Sequence, residues 1–271
     1  NLKKHQFFLK KLKMIIDSHC HLEHEPMASN LQEVIDRAIE NNVKYFLSIS
    51  TTDKSFESIL KIVEKYETIY GTYGIHPHEA KNYQTLSSLQ IIKKIKLCKK
   101  IIGIGETGLD FYYEHSDPVI QKKIFIEHIK AAQILNLPLI VHTRSAESDT
   151  YDILKSEIRN KDLKVLIHCF TGTRAFAHKL IDIGCYISAS GVVTFKKSSD
   201  LAETFLSLPD DRILVETDSP YLSPEPLRGK SNEPSHIIHT VNFLAKLKKL
   251  DPEIFAKKTS ANFFRIFGEL N

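Results

Sequence analysis

Ile15-Ile16-Asp17-Ser18-His19-Cys20-His21 is a short apolar run that closes on His-x-His, and its reading decides the fold. Side chains of an extended strand alternate faces, so His19 and His21 project together while Cys20 projects away from them. Two imidazoles on one face at a strand's C-terminal end suit a divalent metal, which a lone histidine does not hold. Taken alone the pattern is weak, because one packed and one hydrated histidine explain it equally well. The weight comes from the rest of the chain. Including residues 14–17, apolar runs recur at 45–50, 69–75, 101–106, 139–142, 165–168, 185–190 and 213–218. They are rich in β-branched and aromatic residues and apolar nearly throughout, as strands buried on both faces are.

Helical spacing fills the intervals. Leu31, Val34, Ile35, Ala38 and Ile39 repeat at i, i+3, i+4 behind Asn30 as an N-cap candidate, and Phe56, Ile59, Leu60 and Val63 do so behind Asp53. Residues 124–135 form a longer helix that stops before Pro138, and Phe176, Leu180 and Ile181 another that ends at Gly184. A Pro- and Gly-containing loop leads to a helix around 237–247, and a final helix over 252–267 is extra to the pattern. Eight strand–helix alternations predict an α/β chain closed as a (β/α)8 TIM barrel with an additional C-terminal helix. An open doubly wound sheet is disfavoured, because no glycine-rich phosphate turn follows the first strand. No composition shift or linker divides the chain, so residues 14–271 are expected to form one domain.

The bulk properties limit the alternatives. The chain has 271 residues, 42% hydrophobic and 26% charged, an ordinary globular mixture. Its formal charge of +4 permits an anionic substrate without demanding one. Cys20, Cys98, Cys169 and Cys185 form no C-x-x-C pair, which excludes a zinc ribbon or thioredoxin-type motif and suits a reducing cytoplasm. No apolar stretch approaches a membrane span. Residues 1–13 are basic with Phe7, Phe8, Leu9 and Leu12 interspersed. They lack the apolar core of a signal peptide and read as an N-terminal extension to a domain starting at Met14.

A barrel keeps its active site at the C-terminal ends of the strands. Those ends carry His19 and His21, then His76 and His78, Glu106, His142, His168 and Asp218. For any one of them a packed histidine or a helix-capping acid is the commoner explanation; for the set at one rim it is not. Four imidazoles (His19, His21, His142, His168) and two carboxylates exceed one tetrahedral ion and suffice for two if a carboxylate bridges. Glu106 lies between the first histidine pair and the later two, so it is the expected bridge. One ion would take His19, His21, Glu106 and Asp218, the other Glu106, His142 and His168. Nitrogen-rich ligation favours zinc, manganese or cobalt, and the carboxylates also admit magnesium.

The same stretches resemble the TatD family of metal-dependent deoxyribonucleases. The likeness rests on Asp17-Ser18-His19-Cys20-His21-Leu22, Gly74-Ile75-His76-Pro77-His78, Gly103-Ile104-Gly105-Glu106-Thr107-Gly108-Leu109-Asp110, Pro138-Leu139-Ile140-Val141-His142-Thr143-Arg144 and His168-Cys169-Phe170-Thr171-Gly172. Glu216-Thr217-Asp218-Ser219-Pro220-Tyr221-Leu222 and Arg228-Gly229-Lys230-Ser231-Asn232-Glu233-Pro234 complete it. The motifs occur in the family's order from Met14 to about Phe267. The resemblance implies an amidohydrolase-type barrel, a divalent metal centre and DNA phosphodiester hydrolysis leaving 5′-phosphate and 3′-hydroxyl ends. All six expected ligands occupy matching positions; His128 stands where Gln is expected.

On this reading Asp218 accepts the proton of an attacking water while Glu106 bridges. His76, Arg144 and Arg228 are the phosphate-binding candidates, with Lys230 and Asn232 beside Arg228, and Phe111, Tyr112 and Tyr113 offer rings for a base. Asp110 is expected to stiffen its loop, not to bind metal. The expected partner is DNA, single-stranded or with frayed ends, bound by a cytoplasmic monomer without a membrane. The alternative is an amidohydrolase-type enzyme acting on a small cyclic amide, ester or aminoacyl bond, since fold does not fix substrate. Glu106 stands where some of those enzymes use a carboxylated lysine, which leans against them.

Overall fold

The computed structural model describes residues 14–113, 115–158 and 163–270; the basic arm expected over residues 1–13 lies outside them. Eight strands pair in parallel in sequence order: β1 Ile15–Cys20, β2 Val43–Ser48, β3 Ile69–Tyr73, β4 Ile101–Asp110, β5 Leu139–Arg144, β6 Val165–Ile167, β7 Tyr186–Ala189 and β8 Ile213–Val215. Each is followed by a helix: α1 Leu31–Glu40, α2 Asp53–Lys65, α3 Ser88–Ile95, α4 Pro118–Leu135, α5 Glu147–Ile158, α6 Arg174–Asp182, α7 Ser199–Ser207 and α8 Ile237–Leu247. The last helix, α9 Pro252–Phe267, is additional. The chain is a (β/α)8 barrel with an extra C-terminal helix, as the run spacing predicts.

The helix boundaries have local causes. Thr52 caps α2, accepting from the Ser55 amide, so the cap falls one residue before the expected Asp53. Asp117 caps α4 ahead of Pro118, and left-handed Asn136 ends it. Asn30 occupies the N-cap of α1, but its side chain makes no capping bond. Gly184, at φ +93°, follows α6 in the conformation a helix C-terminus favours.

Two cores divide the apolar residues. The larger lies between strands and helices and contains Ile15, Phe46, Phe56, Phe125 and Phe205. The smaller fills the barrel with Ile16, Leu47, Ile49, Tyr70, Leu166 and Leu214, and α9 closes it with Phe263 and Ile266. Polar bonds fix that plug: Ser260 donates to Met14 O at 2.8 Å and Asn262 to Ile213 O at 2.8 Å. With one end filled by side chains, the opposite mouth is left for the polar residues.

The β8–β1 seam closes at that mouth. His21 N donates to Ser219 O and Asp218 N to His19 O, both at 2.9 Å. Buried Asp17 accepts from the Thr217 amide at 3.0 Å and its hydroxyl at 2.6 Å. Among the described residues no helix is long and apolar enough to cross a membrane, and all four cysteines are free.

Candidate metal centre

Glu106 stands in the middle of the mouth, within β4 and not at its end, because β4 continues in register with β5 as far as the Asp110–Arg144 pair. The backbone there admits only glycine before it: Gly105 has φ +140°, and a Cβ would lie 2.4 Å from Ile140 O. A Cβ on Gly74 would lie 2.3 Å from the Gly105 carbonyl carbon, so β3 also closes tightly against this point.

The two oxygens of Glu106 face different partners. Oε2 lies 3.4 Å from His19 Nε2 and 4.0 Å from His21 Nε2. Oε1 lies 2.8 Å from His168 Nε2, 3.1 Å from His142 Nδ1 and 3.5 Å from His76 Nε2. Asp218 Oδ1 completes the first group, 3.6 Å from His19 Nε2 and 3.5 Å from His21 Nε2. The Asp218 side chain is 14% exposed against 4% for Glu106, so although both line the cavity, Asp218 is the more open of the two.

The far side of each ring decides which nitrogen is free. His21 Nδ1 donates to Ile49 O at 3.0 Å, which leaves the Nε2 lone pair aimed at Asp218 and Glu106. His142 Nε2 meets Asp110 Oδ2 at 3.1 Å, leaving Nδ1 toward Glu106. His168 Nδ1 faces Glu216 Oε1 at 3.5 Å, an ion-pair contact without a hydrogen bond, leaving Nε2; the bonded pattern is that of His21 and His142. This is how proteins orient metal-binding imidazoles, with the other N–H given to a carbonyl or carboxylate. His76 is wired the opposite way. Its Nδ1 accepts from the His78 amide at 3.2 Å, which places the ring proton on Nε2 and makes it a donor into the cavity.

Electrostatics agree with a cation-seeking cluster. Burial pushes the Glu106 carboxyl up, but His168 and His76 together with the bonds from His142 and His168 outweigh it and hold Glu106 well below the usual range. Burial pulls His168 down, yet Glu106 and Glu216 lift it well above its ordinary value; Asp218 and Glu23 do the same for His21. Asp218 is held low by His21, His19 and His168 against its burial. His76 goes the other way: burial, with His142 and His78 adding and Glu106 opposing, pushes it down to about 3. The carboxylates thus draw positive charge onto His21, His142 and His168, a demand that protons or metal ions meet, while burial and His168 outweigh Glu106 and Glu216 at His19 and hold it below its ordinary value.

Donor chemistry also fits a metal. His19 is fully buried, and neither of its ring nitrogens has a hydrogen-bond partner among the described residues. An imidazole left so costs about 1–3 kcal/mol, and ligation through Nε2 removes part of that cost. Ligand atoms of His19, His21 and Asp218 lie within 4.8 Å of one another, as do those of His19, Glu106 and His168, and His142 Nδ1 lies 3.3 Å from His168 Nε2 beside Glu106 Oε1.

All six expected ligands therefore meet at one place, and His76 and Arg144 line the same cavity of about 830 Å³. Arg228 is not brought there; its guanidinium stacks on Phe195 at 3.7 Å. Asn232, expected to face DNA, is buried and donates to Thr217 O at 2.9 Å and Tyr221 O at 2.6 Å, stapling the loop that holds Asp218. Asp110 stiffens its loop by accepting the Tyr112 and Tyr113 amides, but it also orients His142 and contacts His78 Nε2 at 2.9 Å. Glu216 lies outside the expected site residues. Its signal was a second carboxylate two positions before Asp218.

Comparison with known proteins places the chain in a family. A family model described as TatD related DNase matches residues 16–268. An uncharacterized metal-dependent hydrolase of Buchnera aphidicola is 42% identical over 94% of this chain and 99% of its own length. A Shigella flexneri protein named 3′-5′ ssDNA/RNA exonuclease TatD is 30% identical over 94% of this chain and 99% of its own. Among solved structures, YjjV, a TatD homologue from Escherichia coli, shares the fold with a TM-score of 0.89 at 24% identity, covering 95% of this chain and 99% of that one. A barrel whose mouth gathers these carboxylates and imidazoles, matched end to end by that model, belongs to the TatD-related family of metal-dependent hydrolases.

Proposed function

We propose that this chain is a deoxyribonuclease that hydrolyses DNA phosphodiester bonds at a dinuclear metal centre, acting on single-stranded or frayed ends. The observation that carries the reading is the division of Glu106: Oε2 toward His19 and His21, Oε1 toward His142 and His168. That is the disposition a bridging carboxylate needs, with Asp218 completing the first set. The nucleic-acid substrate is supported by the name of the Shigella relative and by a cavity that reaches exposed Arg144 at its rim. Two divalent ions, zinc, manganese or magnesium, would be held there; when bound they lower the pKa of water and neutralise charge on the phosphoryl oxygens.

The remaining work falls to side chains. His76 Nε2–H donates to a non-bridging phosphate oxygen, and its low proton affinity keeps it a neutral donor at neutral pH. Arg144 offers a guanidinium to a neighbouring phosphate. Asp218, ionised and open to the cavity, accepts the proton of the water that attacks phosphorus. The phosphorus bond to the 3′ oxygen breaks, and the leaving oxygen takes a proton from solvent water, leaving a 3′-hydroxyl and a 5′-phosphate; Asp218 then gives the proton it accepted back to solvent.

The test is digestion of end-labelled single- and double-stranded DNA with added manganese, magnesium or zinc. Metal-dependent cleavage that EDTA abolishes is expected, and Glu106→Ala should lose more than about a hundredfold in rate with its circular dichroism spectrum intact. Wild-type turnover in that variant would refute the bridge. Hydrolysis of small cyclic amides with no cleavage of DNA would refute the nuclease.

A further inference from the structure

The loop after β4 contains three consecutive aromatics that behave differently. Phe111 is half-buried against the main core, which is ordinary loop packing. Tyr112 and Tyr113 are 59% and 41% exposed, and neither phenol has a hydrogen-bond partner among the described residues. Their backbone is fixed all the same. Asp110 Oδ1 accepts the Tyr112 amide at 3.0 Å and the Tyr113 amide at 3.2 Å, and the other oxygen of that carboxylate meets His142 Nε2 at 3.1 Å. One carboxylate thus holds both the exposed rings and an imidazole of the metal cluster.

Arg144, two residues after His142 at the end of β5, stands over this pair. Its guanidinium carbon is 4.1 Å from the Tyr112 ring centroid and 4.9 Å from that of Tyr113. Its side chain has no carboxylate or hydrogen-bond acceptor among the described residues, so its N–H groups are unclaimed. Tyr113 and Arg144 both line the cavity that contains Glu106 and His76. The two rings stand nearly perpendicular, at 86°, and His115 already stacks on Tyr113 at 5.5 Å, so Tyr112, the more exposed of the pair, is the ring left for a base. A guanidinium beside that ring with unclaimed N–H groups, on a preset backbone, combines the two contacts single-stranded nucleic acids need: a face for a base and a fork for a phosphate.

We propose that Tyr112, Tyr113 and Arg144 form a nucleotide-binding subsite at the rim of the barrel. One unpaired base stacks on the exposed Tyr112 ring, which Tyr113 supports edge-on, and the Arg144 guanidinium takes the adjoining phosphate. The inference rests on the nuclease reading for its substrate class and specifies how the strand is held. Two residues of extended strand separate Arg144 from His142, about 7 Å, so the phosphate on Arg144 is a neighbour of the one at the metal cluster. A base inside a duplex is already stacked on both faces, and pairing fixes its plane against its partner, so the subsite selects unpaired bases.

The experiment compares binding of two fluorescent, phosphorothioate-linked 12-mers to the metal-loaded protein by anisotropy, one of thymidine and one of abasic residues with the same backbone charge. Wild type should bind the thymidine strand about ten- to a hundredfold more tightly. Tyr112→Ala with Tyr113→Ala should bring thymidine binding down to the abasic level, and Tyr112→Phe with Tyr113→Phe should keep it within about threefold of wild type, since stacking uses the ring and not the hydroxyl. Equal binding of the two strands by wild type would overturn the subsite without any variant having to fold. So would an Ala double variant that still discriminates. Base-dependent binding with no cleavage of unmodified DNA would overturn the nuclease reading and leave the subsite standing.

Discussion

At the scale of single residues the centre depends on how Glu106 is delivered. Gly105 lies in a backbone region that side chains avoid, with Ile140 O where its Cβ would be. Gly105→Ala should cost about 2 kcal/mol or more and tilt Glu106 off its position. Urea midpoints and bound-metal content check this; a variant with wild-type values in both would contradict it. His128 supplies a second test. It is fully buried in α4, its Nδ1 donates to Ile124 O at 2.8 Å and its Nε2 accepts from Ile75 N at 3.2 Å, so only the neutral ring fits. Burial pushes it down to about 4, against the bond to Ile124. Between about pH 6.5 and pH 4 the unfolded chain takes up a proton there and the folded one does not, so stability is lost as pH falls through that window. Gln offers a donor and an acceptor without titrating. The stability difference between wild type and His128→Gln should therefore shift against wild type by about 3 kcal/mol from pH 7 to pH 4, and parallel pH profiles would contradict it. Residues of this kind were legible unevenly. His19, His21, Glu106 and Asp218 stand out because charge or imidazole ends an apolar run, whereas Asp110 and Glu216 act through the far sides of other rings, a relation no local spacing records.

Among elements, β1 and β4 carry the decisive irregularities. Ile16 points into the barrel, and strict alternation from Ile16 would send His19 outward. The pairing with β2 slips by one residue between Asp17 and Cys20, and that slip turns His19 and His21 into the mouth. The pairing of β4 with β5 slips in the same way between Ile104 and Thr107, around Glu106. Such bulges re-aim side chains beside active sites, and nothing in the apolar pattern announced them; it supplied the strands but set their ends by where polarity began, which cut β4 and β5 short. Helix α9 was legible as an extra helix and not as a plug. Its Phe263 is 2% exposed inside the barrel, and Phe263→Ala should cost about 3–5 kcal/mol while sparing bound-metal content, because the plug lies at the end of the barrel opposite the centre. Thermal unfolding and metal analysis read the two quantities; a metal-depleted but undestabilised variant would be the wrong result.

For the molecule as a whole, closing the ring and building the centre are one event. The β8–β1 seam is made by the backbone of His19, His21, Asp218 and Ser219 and by Asp17 on Thr217, so the last join in the barrel sets the first and last expected ligands against each other. The central claim is that Glu106 links two cation sites across that join. Anomalous diffraction from manganese- or zinc-loaded crystals tests it most directly. Two peaks are predicted, one within about 2.2 Å of Glu106 Oε2 and ligated by His19, His21 and Asp218, the other within the same reach of Oε1 and ligated by His142 and His168. A single ion, or ions that leave either oxygen of Glu106 without a metal, would contradict it.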